Sequence, residues 1–119
     1  MCMADALQMK QAFLNIIMNA IEAMKEKSGE RMLAIDVRQV ASWVQIMIQD
    51  TGVGIAPDKI SHLFDPFYTS KEDGTGLGLA ITHSIIEKNR GKIEVESVAG
   101  QGTRFKIFLP IFSLPYLSK

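Results

Sequence analysis

The sequence predicts an α+β fold, a two-layer α/β sandwich with helices covering one face of a mostly antiparallel sheet. Three observations carry that expectation. Two long stretches repeat apolar residues at the helical period, and four shorter ones alternate apolar and polar residues as half-buried strands do. Their order is helix, two strands, a helical loop, helix, two strands. Each strand pair is joined by a short connection, which suits antiparallel neighbours.

The first helix starts with Asp5 and Gln8, which read as a capping pair, and runs to about Lys27. Phe13, Ile17, Ala20 and Met24 recur at spacings of 4, 3 and 4 with Leu14 and Ile21 alongside, a wide apolar face that Ser28-Gly29 ends. Leu33, Ile35 and Val37, then Val44, Ile46 and Ile48, mark two strands joined through Val40-Ala41-Ser42 as a hairpin. A loop with Gly52, Gly54 and Pro57 leads to a short helical piece around Asp58–Leu63, then an irregular stretch to Gly76. Leu77 to Asn89 reads as the second long helix, with Leu79, Ile81, Ile85 and Ile86 inward and Gly91 as its stop. Ile93 and Val95, then Phe105, Ile107 and Leu109, are the last two strands, joined by a turn at Ala99–Gly102.

Composition narrows the class. At 119 residues the chain (1–119) is expected to be one domain. With 13 basic and 13 acidic side chains its formal charge is +0, which excludes a generally basic nucleic-acid surface. The single cysteine, Cys2, can form neither an internal disulfide nor a cysteine-based zinc site, so a reducing compartment fits. No apolar run approaches the ~20 residues of a membrane span, and Met1-Cys2-Met3 lacks the regions of a signal peptide. The expectation is a cytoplasmic domain, monomeric when isolated and without direct membrane contact, which leaves open a membrane anchor elsewhere in a longer parent protein.

Three features carry candidate chemistry. On the first helix Gln11, Asn15, Asn19 and Glu22, at spacings of 4, 4 and 3, share one stripe. A solvated face would produce such a stripe, although Asn is a poor choice for mere polarity because it forms helix less well than Lys, Glu or Ala. Stacked amides can instead offer neutral oxygens to a hard cation such as Mg²⁺, or bond to phosphate. Second, Asp50 shares strand parity with Val44, Ile46 and Ile48, and Thr103 with Phe105, Ile107 and Leu109, so both face the core side. Asp50 could simply cap the glycine loop that follows it. An inward carboxylate and an inward hydroxyl could equally read the edge of a flat heterocycle such as adenine. Third, Gly74-Thr75-Gly76-Leu77-Gly78-Leu79 runs straight into the second long helix, where glycines and the helix start can approach an anion closely. This is neither a P-loop nor a dinucleotide fingerprint.

Together with Leu63-Phe64-Asp65-Pro66-Phe67-Tyr68 and Gly102-Thr103-Arg104-Phe105, these segments form five boxes in a fixed order. Asn15-Ile16-Ile17-Met18-Asn19-Ala20 and Asp50-Thr51-Gly52-Val53-Gly54-Ile55 open the series. The series resembles the N, G1, F, G2 and Gly-Thr boxes of the catalytic, ATP-binding domain of sensor histidine kinases. That family shares its Bergerat-type fold with gyrase-like ATPases, and the resemblance spans about Asp5 to Pro110.

The resemblance implies that the domain binds ATP with Mg²⁺ and donates the γ-phosphate to a histidine on a separate dimerisation domain of the same kinase. A response regulator is the further partner it implies, within two-component signal transduction. Asn19 would be the magnesium ligand, with Asn15 assisting. Asp50 would accept from the adenine amino group, with Thr103 joining through an ordered water. Gly52 and Gly54 would leave room for the base. Gly74, Thr75, Gly76, Leu77 and Gly78 would border the triphosphate, and Lys71 would meet a phosphate, unless with Glu72 and Asp73 it is only a solvated cluster. Phe64 and Phe67 resemble the aromatics that anchor a mobile lid, expected over Pro66–Thr75; Phe64 also suits the core.

Departures from the family pattern matter too. Neither His62-Leu63 nor His83-Ser84 has the His-Glu or His-Asp context of a phosphoacceptor, and His83 reads as packing or surface. A strand that usually precedes the first helix is not seen, and Glu22 stands where some relatives carry a phosphate-contacting lysine. An excised catalytic domain is therefore expected, one that binds Mg·ATP but is nearly inactive in autophosphorylation by itself. Other readings are a gyrase-type hydrolase, a non-catalytic nucleotide-binding module and a serine kinase acting on an anti-sigma partner. The hydrolase and the serine kinase are weakened because Asn15 stands where such enzymes hold a Glu base. The tail Ile111–Lys119 is too apolar for a plain linker and could pack on the sheet or face another domain.

Overall fold

Seven elements follow one another in the expected order: α1 (Met3–Lys25), β1 (Leu33–Val40), β2 (Trp43–Asp50), α2 (Pro57–Ile60), α3 (Gly78–Lys88), β3 (Lys92–Val98) and β4 (Gly102–Pro110). The computed structural model describes residues 3–25, 29, 31–65 and 78–110, and the side chains of α1 from Leu7 onward. The strands make one sheet in the order β1-β2-β4-β3, with every neighbouring pair antiparallel. The hairpin between β1 and β2 closes on Ala41-Ser42, where Ala41 takes a left-handed φ of 56°. Two-residue hairpin turns favour that hand because it matches the twist of the strands.

Strand parity sets the core face. Val44, Ile46 and Ile48 stand opposite Leu109, Ile107 and Phe105, and all six are buried. Met9, Ala12 and Ile16 of α1 and Ile85 and Ile86 of α3 pack on them.

The buried face of α1 differs from the expected one. Met9, Ala12, Ile16, Ala20 and Met24 are the buried positions, and Phe13 and Ile17 are only partly buried beside them. Leu14 is 59% exposed and Ile21 41%. The physical reason lies at the crossing with α3, where the small Ala12 allows close approach: Thr82 Oγ1 comes to 3.5 Å from the Ala12 carbonyl oxygen. Asp5 is likewise inside α1 rather than at its start, since Met3, Ala4 and Ala6 are helix formers that let the helix include it.

On α3 the buried residues are Thr82, Ile85 and Ile86, whereas Ile81, expected inward, is 38% exposed. The helix ends in a Schellman arrangement, with Gly91 N–H donating to Ile86 O and Arg90 N–H to Glu87 O, both at 2.9 Å. Arg90, not the glycine, takes the left-handed φ of 61°. Gly91 is needed for a different reason: a Cβ there would stand 2.6 Å from Phe108 O.

α1 lies over β2 and α3 over β3, which leaves β1 at the margin of the covered face. Ile35 and Val37 alternate as a core strand would, yet are 53% and 59% exposed. On the opposite, polar face of the sheet Lys106 pairs with Glu96 at 2.8 Å, and that hydrogen bond and charge hold the Glu96 carboxyl below its usual range.

Candidate functional site

The row of residues where β2 ends and β4 begins carries the densest polar chemistry of the core face. Asp50 pairs with Thr103 in the β2–β4 register, and Thr103 pairs with Ser97 in the β3–β4 register. Asp50 and Thr103 are 2% and 4% exposed, as their parity predicted. A carboxylate so placed needs hydrogen-bond donors, because burying it unpaired is costly. Asp50 Oδ1 accepts the Gly52 N–H at 2.8 Å, so the expected capping of the glycine loop is realised by that oxygen.

The loop after Asp50 is pinned on both sides. Val53 N–H donates to Ala23 O of α1 at 3.1 Å, and Gly100 N–H donates to Val53 O at 2.7 Å. A Cβ on Gly52 would lie 2.7 Å from the carbonyl carbon and oxygen of Ala23. Gly54 has φ +73°, and a Cβ there would collide with the Val98 carbonyl. Both glycines are thus required by close backbone approach, whatever room they also leave for a ligand.

The amide stripe of α1 divides in two. Gln11 and Glu22 are exposed, and Glu22 pairs with Lys25 at 3.3 Å, while Asn15 and Asn19 are half-buried. Asn15 Nδ2 donates to the Gly78 carbonyl at 3.2 Å, at the first turn of α3. The same carbonyl accepts from Thr82 Oγ1 at 2.9 Å. One line of α1, Ala23, Asn19 and Asn15 at four-residue steps, therefore connects the loop behind Asp50 with the start of α3. With its nitrogen turned to Gly78, Asn15 keeps its amide oxygen as an acceptor. Gly78 itself has open space where a Cβ would stand.

Among the described residues no three His, Cys, Asp or Glu side chains gather as a metal cluster. Two neutral amide oxygens fit Mg²⁺ only where a ligand's phosphates bring the charge, which is how Mg²⁺ is commonly held beside nucleotides.

A model of the histidine kinase-, DNA gyrase B-, and HSP90-like ATPase family matches residues 4–113. The chain belongs to that family. Its α/β sandwich is the family's fold, and its curated relatives include sensor histidine kinases and sporulation kinases. Sporulation kinase E of Bacillus subtilis (strain 168) is 46% identical over 104 residues, covering 87% of this chain and 14% of that protein. Sensor histidine kinase ZraS of Escherichia coli (strain K12) is 37% identical over 108 residues, covering 91% of this chain and 23% of that protein. This chain therefore spans only a minor part of the curated relatives it matches. Among solved structures, the catalytic domain of histidine kinase ThkA superposes with TM-score 0.75 at 33% identity, covering 87% of this chain and 66% of that one. Full-length ShkA in complex with AMPPNP gives TM-score 0.75 at 29% identity, covering 87% of this chain and 21% of that one.

In this member of the family, Phe64 lies partly buried against the core and stacks on His83, ring centroids 5.1 Å apart at 29°. Of the two readings, packing or surface, His83 combines both: its ring stacks on Phe64 while the side chain stays partly exposed, and its Nδ1 meets Glu87 at 3.1 Å. Lys71, Gly74, Thr75, Gly76 and Leu77 lie outside the described residues, as do Phe67, the lid expected over Pro66–Thr75 and the tail Ile111–Lys119. Among the described residues no helix is long and apolar enough to cross a membrane.

Two functional neighbours of the site escaped the sequence reading. Ala23 supplies the carbonyl that holds the glycine loop. Ser97 bonds Thr103, Ile55 and Gly102. The parity of Ile93, Val95 and Ser97 was the signal that could have found Ser97.

Proposed function

We propose that this domain binds Mg·ATP and presents its γ-phosphate to a histidine on a separate dimerisation domain, within a cytoplasmic two-component phosphorelay. The observation that carries the reading is the buried Asp50–Thr103 pair, set beside a glycine loop and in line with two half-buried asparagines. Asp50 accepts from the adenine amino group, and Thr103 contacts the same edge through a water. Asn19, assisted by Asn15, supplies amide oxygen on the phosphate side, where Mg²⁺ would neutralise charge between the phosphates. Gly78 borders the triphosphate at the start of α3, together with Gly74, Thr75, Gly76, Leu77 and Lys71.

Phosphoryl transfer of this kind relies mostly on positioning and charge neutralisation, and the acceptor histidine is itself the nucleophile. The chain accordingly needs no strong base. Asn15 speaks against a hydrolase, because an amide cannot deprotonate water. Isothermal calorimetry of the chain with ATP, with and without Mg²⁺, tests the reading: saturable, magnesium-enhanced binding is expected, and no binding at millimolar ATP would refute it.

A further inference from the structure

Three polar groups converge on the Ser97 hydroxyl. The Ile55 N–H lies 2.8 Å from Ser97 Oγ, the Gly102 carbonyl oxygen 2.9 Å and Thr103 Oγ1 2.8 Å. A serine hydroxyl has one hydrogen to give and two lone pairs to accept with. The Ile55 N–H can only donate, and the Gly102 carbonyl can only accept. Ser97 must therefore direct its hydrogen to Gly102, since turning it to Thr103 would set two acceptor oxygens against each other at 2.9 Å. Its lone pairs then take the Ile55 N–H and the Thr103 hydroxyl. Thr103 gives its only hydrogen to Ser97, and what it has left is lone pairs.

Asp50, the register partner of Thr103, is an acceptor as well. The water that links Thr103 to the base then gives its hydrogens to Thr103 and Asp50 and turns a lone pair to the base. A purine with an amino group at C6 supplies a donor to it, and a purine with an oxygen at C6 does not. We propose that Ser97 is a positioning residue that holds Thr103 as an acceptor and thereby sets the preference for 6-amino over 6-oxo purine nucleotides. The proposal rests on the reading of Asp50 and Thr103 as the pair that meets the base. It deepens that reading by naming what orients the hydroxyl.

The test compares binding of ATP and inosine triphosphate to the full chain by calorimetry. In Ser97→Ala the Thr103 hydroxyl is released and can donate to the water that links it to the base, which frees one hydrogen of that water for a 6-oxygen. The ATP-to-ITP affinity ratio should fall by roughly three- to tenfold, the range of one exchanged hydrogen bond. The N1–H of the oxo base returns one donor, which keeps the change to that size. Ser97→Thr should retain the wild-type ratio. In a Thr103→Val background Ser97→Ala should change the ratio no further. Ser97→Cys, close in size but a poor acceptor, should move the ratio in the same direction and serves if the alanine variant does not fold. An unchanged ratio in folded Ser97→Ala or Ser97→Cys overturns the proposal, and so does an equal fall in the Thr103→Val background. Asp50→Asn distinguishes the two layers of the argument. If it leaves ATP binding intact, the base-recognition reading fails; if it weakens ATP binding while the Ser97 variants keep the ratio, only the role of Ser97 fails.

Discussion

Asp50 and Thr103 stand directly opposite each other where β2 and β4 pair, and each is almost wholly withdrawn from solvent. The arrangement makes Asp50 the most informative position to change. Asp50→Asn keeps an oxygen able to accept the Gly52 N–H, so the loop should hold and the fold survive. Adenine-nucleotide binding should weaken by about 1.5–3 kcal/mol, the usual worth of a hydrogen bond to a charged group. Calorimetry giving unchanged ATP affinity in a folded variant would remove the adenine assignment.

Asn19→Ala tests the phosphate side. Ala is the better helix former, so the fold should stay intact. The magnesium-dependent part of ATP binding should disappear, leaving the affinity measured in EDTA. A variant that melts lower and binds Mg·ATP normally would mean that the asparagine only serves the helix face.

Gly52→Ala tests the packing of the loop. The new Cβ would lie 2.7 Å from the Ala23 carbonyl carbon and oxygen, so α1 and the loop must separate and the Val53–Ala23 hydrogen bond must stretch. A loss of about 1–3 kcal/mol in urea unfolding is expected, typical of overpacking, together with weaker ATP binding. Wild-type stability would show that the loop relaxes freely and is not held by α1.

Ile16 and Leu14 separate the two candidate faces of α1. Ile16 is 0% exposed and Leu14 59%. Ile16→Ala should cost about 2–5 kcal/mol, and Leu14→Ala should stay within roughly 0.5 kcal/mol. Equal losses in chemical denaturation would restore the face read from the sequence.

These contrasts show which parts of the structure were legible. Strand period is close to 2, so one apolar neighbour decides which way a residue points; Asp50 and Thr103 were placed by that rule alone. Helix phase is softer. Phe13, Ile16 and Ile17 are all apolar and neighbouring in angle, so composition cannot tell which is deepest. The decision belongs to Ala12, where α3 crosses, and that is a tertiary fact. β1 reads as a core strand because alternation reports apolar residues and not what lies above them. Ser97 was legible by parity, but a serine signals a role only once its three partners are known.

The last prediction concerns activity. The chain alone should bind Mg·ATP, yet show almost no autophosphorylation and little hydrolysis. His62 Nδ1 meets Asp65 at 3.0 Å beside an exposed turn, and the ring of His83 is stacked on Phe64 with Glu87 at its Nδ1. Neither histidine has the sequence context of an acceptor, and Asn15 offers no base to a water. Adding the dimerisation domain of its own kinase in trans should restore transfer slowly. The two halves must then meet by diffusion, without the effective concentration, about millimolar, that a short covalent linker provides. Asp50→Asn and Asn19→Ala should both fail in that assay. Radiolabelled ATP, with and without the added domain, reads the outcome. Rapid phosphate release by the chain alone would favour a hydrolase, and stable label on His62 or His83 would make one of them the acceptor after all.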